Sequence, residues 1–160
     1  MTKPEIASLL LERAQKYGYF DAKWIGCDSI FGMNHDFIDS ISDDYYYFAD
    51  VRSNTLVWLQ RPEVKLPPYK GRGRRPSKKR ALTEPVSVSD IAEDPSLEWE
   101  KVILNDGAKG PVVAEITCLR VIECRDNLPG KEVWLYIRKL NSGKIKYALS
   151  NAPEDIHKKN

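Results

Sequence analysis

Cysteine and histidine are scarce in this sequence. It holds three cysteines, Cys27, Cys118 and Cys124, and two histidines, His35 and His157. The cysteines form no C-x-x-C pair, and neither histidine lies near a cysteine along the chain. The ligand spacing of a zinc site is therefore missing, and an odd number of separated cysteines does not suggest a disulfide framework. We expect small buried thiols and solvated imidazoles.

Long apolar runs are also missing. No stretch approaches the roughly 18 consecutive apolar residues of a membrane span, and the first residues, Met1–Glu5, lack the basic and apolar build of a signal peptide. We therefore expect a cytoplasmic protein with no membrane partner. Because 42% of the residues are hydrophobic and 10% aromatic, the chain can bury a core, which excludes wholesale disorder.

Acidic residues are missing from one segment, Lys65–Arg80, which holds eight basic residues. The net charge of +2 therefore combines one local positive patch with a remainder of the chain that is net negative. This uneven charge distribution indicates a polyanionic partner. Glycines and prolines predict a thin, extended backbone here. We expect this segment to contact phosphates; the alternative is a solvated loop that only keeps the protein soluble. The candidate phosphate-contacting residues are Lys70, Arg72, Arg74, Arg75, Lys78, Lys79 and Arg80.

The first fifty residues alternate between helix and strand. Thr2 and Glu5 have the spacing of a capping box, and Gly18 is a natural end for the helix that they begin. A short buried strand is predicted over 23–27, a loop over 29–34 with Gly32 as its flexible point, a helix over 35–41 and a strand over 45–51. This order predicts an α/β unit with a parallel strand pair.

The remainder of the chain is predicted to be mostly β. We expect a strand over 55–60, an extended loop over 61–85 and a short helix over 87–93. Further strands are predicted over 99–104, 112–124 (with a bulge after Cys118), 132–140 and 144–149, with turns at 105–107 and 141–143. The fold class is therefore α+β.

Asp28 directly follows the first predicted strand. Ligands of parallel α/β sheets gather at the carboxyl ends of the strands, so a carboxylate there is well placed to hold a divalent metal for phosphoryl transfer. A carboxylate in this position can also cap the next segment through its backbone amides. The residues alone leave both interpretations open.

The segments Thr2–Ala7 and Trp24–Gly32 resemble the region around the second catalytic aspartate of DDE transposases from bacterial insertion sequences, which have an RNase H-like fold. The family pattern is a hydrophobic strand, the aspartate, two variable residues, an aromatic residue and a glycine, and Asp28, Phe31 and Gly32 match it. Later segments are similar to markers of a β-strand insertion in one branch of that family: Gly71–Pro76, Gly107–Pro111, Arg120–Val121, Trp134–Leu135 and Lys146–Pro153.

The resemblance implies a partial RNase H-like α/β core over 1–54, a mostly antiparallel β insertion over 55–150 with a basic arm over 65–80, and a truncated return to the core over 151–160. Asp28 would then be a catalytic and metal-binding residue, because two aspartates and a glutamate hold Mg²⁺ or Mn²⁺ in such enzymes. The first aspartate would precede this chain and the glutamate would follow it. We therefore expect an inactive piece that binds no metal tightly.

Three functions compete. The first is a transposase segment from an enzyme that acts on transposon ends and target DNA and that associates with itself. The second is a non-catalytic DNA-binding module that uses the basic arm and interferes with a full-length transposase; Gly71–Pro76 is similar to the core of minor-groove AT-hooks, although Arg75 interrupts it. The third is an unrelated α+β protein whose arm contacts RNA or an acidic protein.

Three tryptophans lie in predicted strands, namely Trp58, Trp99 and Trp134. Relatives of the resembled family that cut DNA through hairpin intermediates stack a flipped base on a tryptophan, and such stacking is energetically useful. Aromatic residues in strands are nevertheless usually buried. We predict core packing for Trp99 and Trp134, and a more open position for Trp58 beside the basic arm.

Overall fold

The computed structural model describes residues 1–18, 21–107 and 110–155, with their side chains except those of 104–107. The helices are α1 (Lys3–Tyr17), α2 (Ser29–Gly32), α3 (His35–Ile41) and α4 (Val88–Ala92). The strands are β1 (Trp24–Cys27), β2 (Tyr46–Val51), β3 (Leu56–Trp58), β4 (Val64–Lys65), β5 (Arg80–Ala81), β6 (Val86–Ser87), β7 (Glu100–Gly107), β8 (Gly110–Arg125), β9 (Leu128–Leu140) and β10 (Ile145–Ser150). The predicted α+β class is confirmed.

Helix α1 begins and ends where its local signals predict. The hydroxyl of Thr2 accepts from the backbone N–H of Glu5, and the Glu5 carboxylate accepts from the backbone N–H of Thr2 at 2.6 Å. Gly18 ends the helix with a φ of 63°, a left-handed conformation that costs glycine little. An N-terminal cap of this kind stabilises a helix by about 1 kcal/mol.

One mixed sheet holds all the described strands except β4 and β5. Its order is β1-β2-β10-β9-β8-β3-β6, and β7 pairs with the first part of β8. The β1–β2 pair is parallel, as predicted, and the other pairs are antiparallel. Because β10 lies directly against β2, the strands late in the chain continue the sheet that the first fifty residues begin.

The core lies between the helices and one face of this sheet. It joins Phe37, Ile38 and Ile41 of α3 and the buried face of α4 to alternate residues of the strands, among them Tyr47, Ala49, Val133, Leu135, Ile137 and Leu149. Since side chains alternate along a strand, the opposite face carries Tyr46, Phe48 and Asp50 of β2. None of the described helices combines the length and apolarity that a membrane span requires.

Strand β1 was expected to be buried, and this expectation is wrong. Its residues alternate between exposed and half-buried, and Trp24 is 44% exposed. The reason is its place in the sheet, because β2 is its only neighbour among the described strands. An edge strand leaves one row of backbone N–H and C=O groups unpaired.

Several predicted boundaries in the second half shift by a few residues. Strand β7 begins at Glu100 and extends through Gly107, so 105–107 is strand, and the connection to β8 falls at 108–109, outside the described residues. The β8–β9 register shifts between Ile122 and Cys124 rather than after Cys118, at the point where Glu123 also pairs with β3. Residues 156–160 of the predicted return to the core also lie outside the described chain.

Candidate functional site

Asp28 stands at the carboxyl end of β1 and at the start of α2. Its backbone is extended (φ −77°, ψ 178°), and its Oδ1 accepts a hydrogen bond from the backbone N–H of Ile30 at 2.9 Å. The capping interpretation is therefore realised in the structure, and it uses one of the two carboxylate oxygens. The side chain is exposed, so the carboxylate is open to a ligand from solvent.

Asp50 lies beside this position and was missed by the sequence analysis. The parallel register pairs Cys27 of β1 with Ala49 of β2, so Asp28 and Asp50 each follow a paired residue on neighbouring strands. Asp50 is already neutralised: Arg138 donates to its Oδ1 at 2.6 Å, and the Lys146 ammonium lies 3.7 Å from its Oδ2. The sequence feature that could have identified Asp50 is the predicted parallel pairing of two strands that both end near an aspartate.

Cys27, which precedes Asp28, has a thiol that is shielded from solvent and close enough to both aspartates to feel their charge. Burial, followed by the negative charges of Asp28 and Asp50, raises the pKa of Cys27 to about 11. The raised pKa disfavours the thiolate, which is the form that reacts and binds metal. Cys27 is half-buried and packs against the core.

The described residues do not by themselves fit a two-metal centre. Such a centre is held by several carboxylates that bridge and flank the ions, and no group of three or more candidate ligands is assembled among the described residues. Asp28 offers one exposed carboxylate, and Asp50 is bonded to two cations. Among the described residues, Asp28 therefore offers one of the several carboxylates that such a site needs.

Phe31 and Gly32 have separate structural roles in the motif that follows Asp28. The segment 29–34 was expected to be a flexible loop, but Ser29–Gly32 forms α2. The Phe31 ring packs against that of Phe37, with 5.2 Å between centroids, and so fixes α2 to the core. A Cβ on Gly32 would meet the backbone carbonyl oxygen of Asp50. Glycine is therefore required by close approach between α2 and β2 rather than by flexibility.

The basic arm (residues 65–80) is not an extended loop. Its ends pair as β4 and β5, with Lys65 opposite Arg80, and the backbone N–H of Leu82 donates to the carbonyl of Glu63 at 2.8 Å. The intervening residues curl around a cleft of about 490 Å³. Six of the seven predicted phosphate-contacting residues line this cleft, namely Lys70, Arg72, Arg74, Arg75, Lys78 and Arg80. Lys79 does not line it.

The sequence pattern of the family described as DDE superfamily endonuclease matches residues 1–111. The chain belongs to this endonuclease family. The match includes Asp28 and the whole basic arm, whereas the markers at Arg120, Trp134 and Lys146–Pro153 lie beyond it. The comparison with curated proteins gave no match, and the comparison with solved structures gave none either.

Membership of this family confirms the predicted DDE type and implies DNA as the substrate class. Endonucleases of this superfamily generally act with divalent metal ions, which suits an exposed carboxylate at a strand end. The family match does not assign a role to any individual residue.

The tryptophans of this DDE chain are placed differently from the prediction in two cases. Trp58 is only 3% exposed, and its indole N–H donates to the carbonyl of Thr83 at 3.0 Å, so the expected open position is wrong. Trp99 lies just before β7, where the Lys139 ammonium stands 3.7 Å from its ring centroid. Trp134 alternates with the core residues Val133 and Leu135 and lies half-buried on the other face of the sheet, beneath the Arg120 guanidinium, so its predicted core packing is wrong. Both contacts are cation–π interactions.

An ionic network links β8 to α3. The Arg125 guanidinium donates from Nε to Glu123 at 2.9 Å and from Nη1 to both oxygens of Asp39, at 2.7 and 2.9 Å. Tyr47 donates its hydroxyl to Glu123 at 3.4 Å, and burial followed by the Glu123 charge raises the pKa of this phenol. The network holds the later strands against the helical layer that carries the Asp28 region.

Proposed function

We propose that this chain forms part of a metal-dependent DNA-cleaving site, to which Asp28 contributes one carboxylate. The supporting observation is an exposed carboxylate at the carboxyl end of a parallel strand, followed by a helix that Phe31 and Gly32 lock in place. The substrate would be the transposon ends and target DNA of a bacterial insertion sequence. Because bacterial DNA lies in the cytoplasm, we propose a cytoplasmic location. The carboxylates that complete the site would come from outside the described residues.

Binding of Mn²⁺ tests the role of Asp28 directly. A single carboxylate binds the ion weakly, so we expect selective broadening of NMR signals from residues 26–32 at millimolar Mn²⁺. Asp28→Asn should abolish this broadening. Asp50→Asn is the matched control and should leave it in place, because the Asp50 carboxylate already has two cationic partners. Broadening that persists in Asp28→Asn would exclude Asp28 as the ligand.

A second candidate function is DNA binding without catalysis, with interference against a full-length transposase. One observation favours it: among the described residues, none of the seven candidate cations from Lys70 to Arg80 forms a salt bridge. Within the described part of the chain, the one ion pair of the arm joins Lys65 to Glu63. Unpaired cations at this density are the electrostatic footprint of a phosphate-binding surface.

A gel-shift experiment tests this second function. The chain should retard duplex DNA, and a variant with Lys78, Lys79 and Arg80 changed to glutamine should bind at least tenfold more weakly. Lys144→Gln removes an exposed cation from the distant β9–β10 turn and should bind as the wild type does. An equal loss in the control would indicate a general charge effect rather than a site in the arm.

We also propose that the chain associates with itself through β1 and α1. Strand β1 has one unpaired edge among the described strands, and Leu9 and Leu10 of the neighbouring helix are 43% and 58% exposed. Exposed edges and apolar patches are common sites of association. Analytical ultracentrifugation should show a dimer that Leu10→Glu dissociates; a monomer at all concentrations would contradict the proposal.

A further inference from the structure

The curvature of the basic arm is built from specific residues. Gly71 and Gly73 both have a φ of 79°, a left-handed conformation that other residues rarely adopt. The Tyr69 hydroxyl donates to the carbonyl of Gly73 at 3.4 Å, and the Arg75 guanidinium lies 5.4 Å from the centre of the Tyr69 ring. One aromatic side chain thus contacts both a backbone carbonyl and a cation of the curved segment.

The curled arm gathers positive charge around a concave surface. The cleft of about 490 Å³ is lined by six cations and by no acidic residue. Like charges held together in this way repel one another, so an anion in the cleft would relieve the repulsion. A phosphate suits the site because arginines donate paired hydrogen bonds to its oxygens.

The same geometry does not suit insertion into the DNA minor groove. That groove is about 6 Å wide, and a segment that enters it must be thin and extended. Here the arm doubles back at Gly71 and Gly73, and the Tyr69 ring lies beneath Arg75. The glycine–arginine similarity to an AT-hook is therefore not realised in the conformation of the arm.

We propose that the curled basic arm grips the phosphodiester backbone from outside the duplex, with Tyr69 as the positioning residue that holds Arg75 in the cleft. This inference rests on the proposed DNA-binding function. Tyr69 makes no phosphate contact in this scheme. It keeps the arm in its bound shape before DNA arrives, which lowers the ordering cost of binding.

Fluorescence anisotropy with short labelled duplexes tests the mode of binding. Backbone recognition predicts equal affinity for AT-rich and GC-rich duplexes, and no displacement by netropsin, a minor-groove ligand. It also predicts weaker binding when neutral methylphosphonates replace phosphates at the contact. Preferential binding to AT-rich DNA together with displacement by netropsin would overturn the proposal while leaving DNA binding itself intact.

Two variants of Tyr69 test its positioning role. A cation–π contact at an exposed site is worth a factor of about two to five in an equilibrium constant, so Tyr69→Ala should weaken binding by about that factor. Tyr69→Phe keeps the ring and should lose less. Leu66→Ala, an exposed apolar residue on the same arm, is the control and should bind normally. Wild-type affinity in Tyr69→Ala would overturn the positioning role, and absence of binding by the wild type would overturn the DNA-binding function itself.

Discussion

Asp28 follows the last residue of β1 and Asp50 is the penultimate residue of the parallel strand β2, and among the described contacts only Asp50 is paired with cations. Its partners are Arg138, at 2.6 Å, and Lys146, at 3.7 Å, whereas Asp28 accepts only the short backbone bond from Ile30 among the contacts described. The cations on β9 and β10 therefore neutralise Asp50, while the Asp28 carboxylate stays exposed to solvent.

Releasing Asp50 should change how this chain binds metal. In Arg138→Gln with Lys146→Gln, Asp50 loses both partners and its carboxylate becomes available beside Asp28. We expect the Mn²⁺ affinity measured by calorimetry to rise several-fold, and the free energy of unfolding to fall by about 1 kcal/mol, since these pairs are only partly buried. Adding Asp50→Asn to this variant should cancel the gain in affinity. An unchanged affinity would show that the two carboxylates cannot share an ion.

Short-range features of this fold were predictable from sequence, whereas the surroundings of Asp28 were not. The caps of α1, the parallel β1–β2 pair and the position of α3 depend on residues close together in the chain, and all were predicted correctly. The bond between Arg138 and Asp50 joins residues 88 positions apart. No local pattern indicates such a contact, because it depends on β10 and β9 lying beside β2.

Local signals were also overlooked in two places. Asp126 and Asn127 have φ values of 51° and 61° and form the tight β8–β9 turn, and these are residue types that tolerate left-handed backbone. Gly71 and Gly73 were taken to keep the arm extended, but glycine equally permits the reversed backbone that is observed. Composition therefore identified the arm as basic, but it did not determine the shape of the arm.

Gly32→Ala should destabilise the chain more than Gly26→Ala. A Cβ at Gly32 would meet the carbonyl oxygen of Asp50, which is backbone and cannot rotate away, whereas a Cβ at Gly26 would meet nothing within 4 Å. Overpacking of this kind costs about 1–3 kcal/mol. In urea unfolding, the free energy of unfolding of Gly32→Ala should be lower than that of the wild type by this amount, and that of Gly26→Ala should be close to the wild-type value. Equal effects would show that α2 can shift without loss.

The isolated chain should not nick DNA. One carboxylate cannot hold the two ions that in-line cleavage requires, so supercoiled plasmid should stay supercoiled with Mg²⁺ or Mn²⁺. Asp28→Ala should give the same result. Metal-dependent nicking that survives Asp28→Ala would show that the proposed site is wrong. Nicking that disappears in that variant would support Asp28 and refute the predicted inactivity.

DNA binding by the basic arm should depend steeply on salt. If about four phosphates are contacted, the slope of log affinity against log salt is about −3.6, and raising salt from about 50 to 200 mM weakens binding on the order of 100-fold. Lys78→Gln should make the slope shallower by about one unit if its contact forms. Lys144→Gln should leave the slope unchanged. An affinity independent of salt would contradict phosphate contact.

Arg125→Met should destabilise the chain, and the loss should shrink in acid. The substitution leaves Glu123, whose side chain is only 8% exposed, without its cation, and breaking a buried pair in this way costs about 3 kcal/mol.

The Arg125 guanidinium also holds the pKa of Asp39 below its ordinary value through a hydrogen bond. A carboxyl with a lowered folded-state pKa stabilises fully above its ordinary pKa of about 4 and loses that contribution as pH falls through the lowered value. Urea unfolding at pH 7 and at pH 3 should therefore show a smaller difference between wild type and variant at pH 3. Arg52→Met, which removes an exposed arginine, should stay within about 0.5 kcal/mol of wild type at both values. A difference that grows in acid would contradict a stabilising Arg125–Asp39 bond.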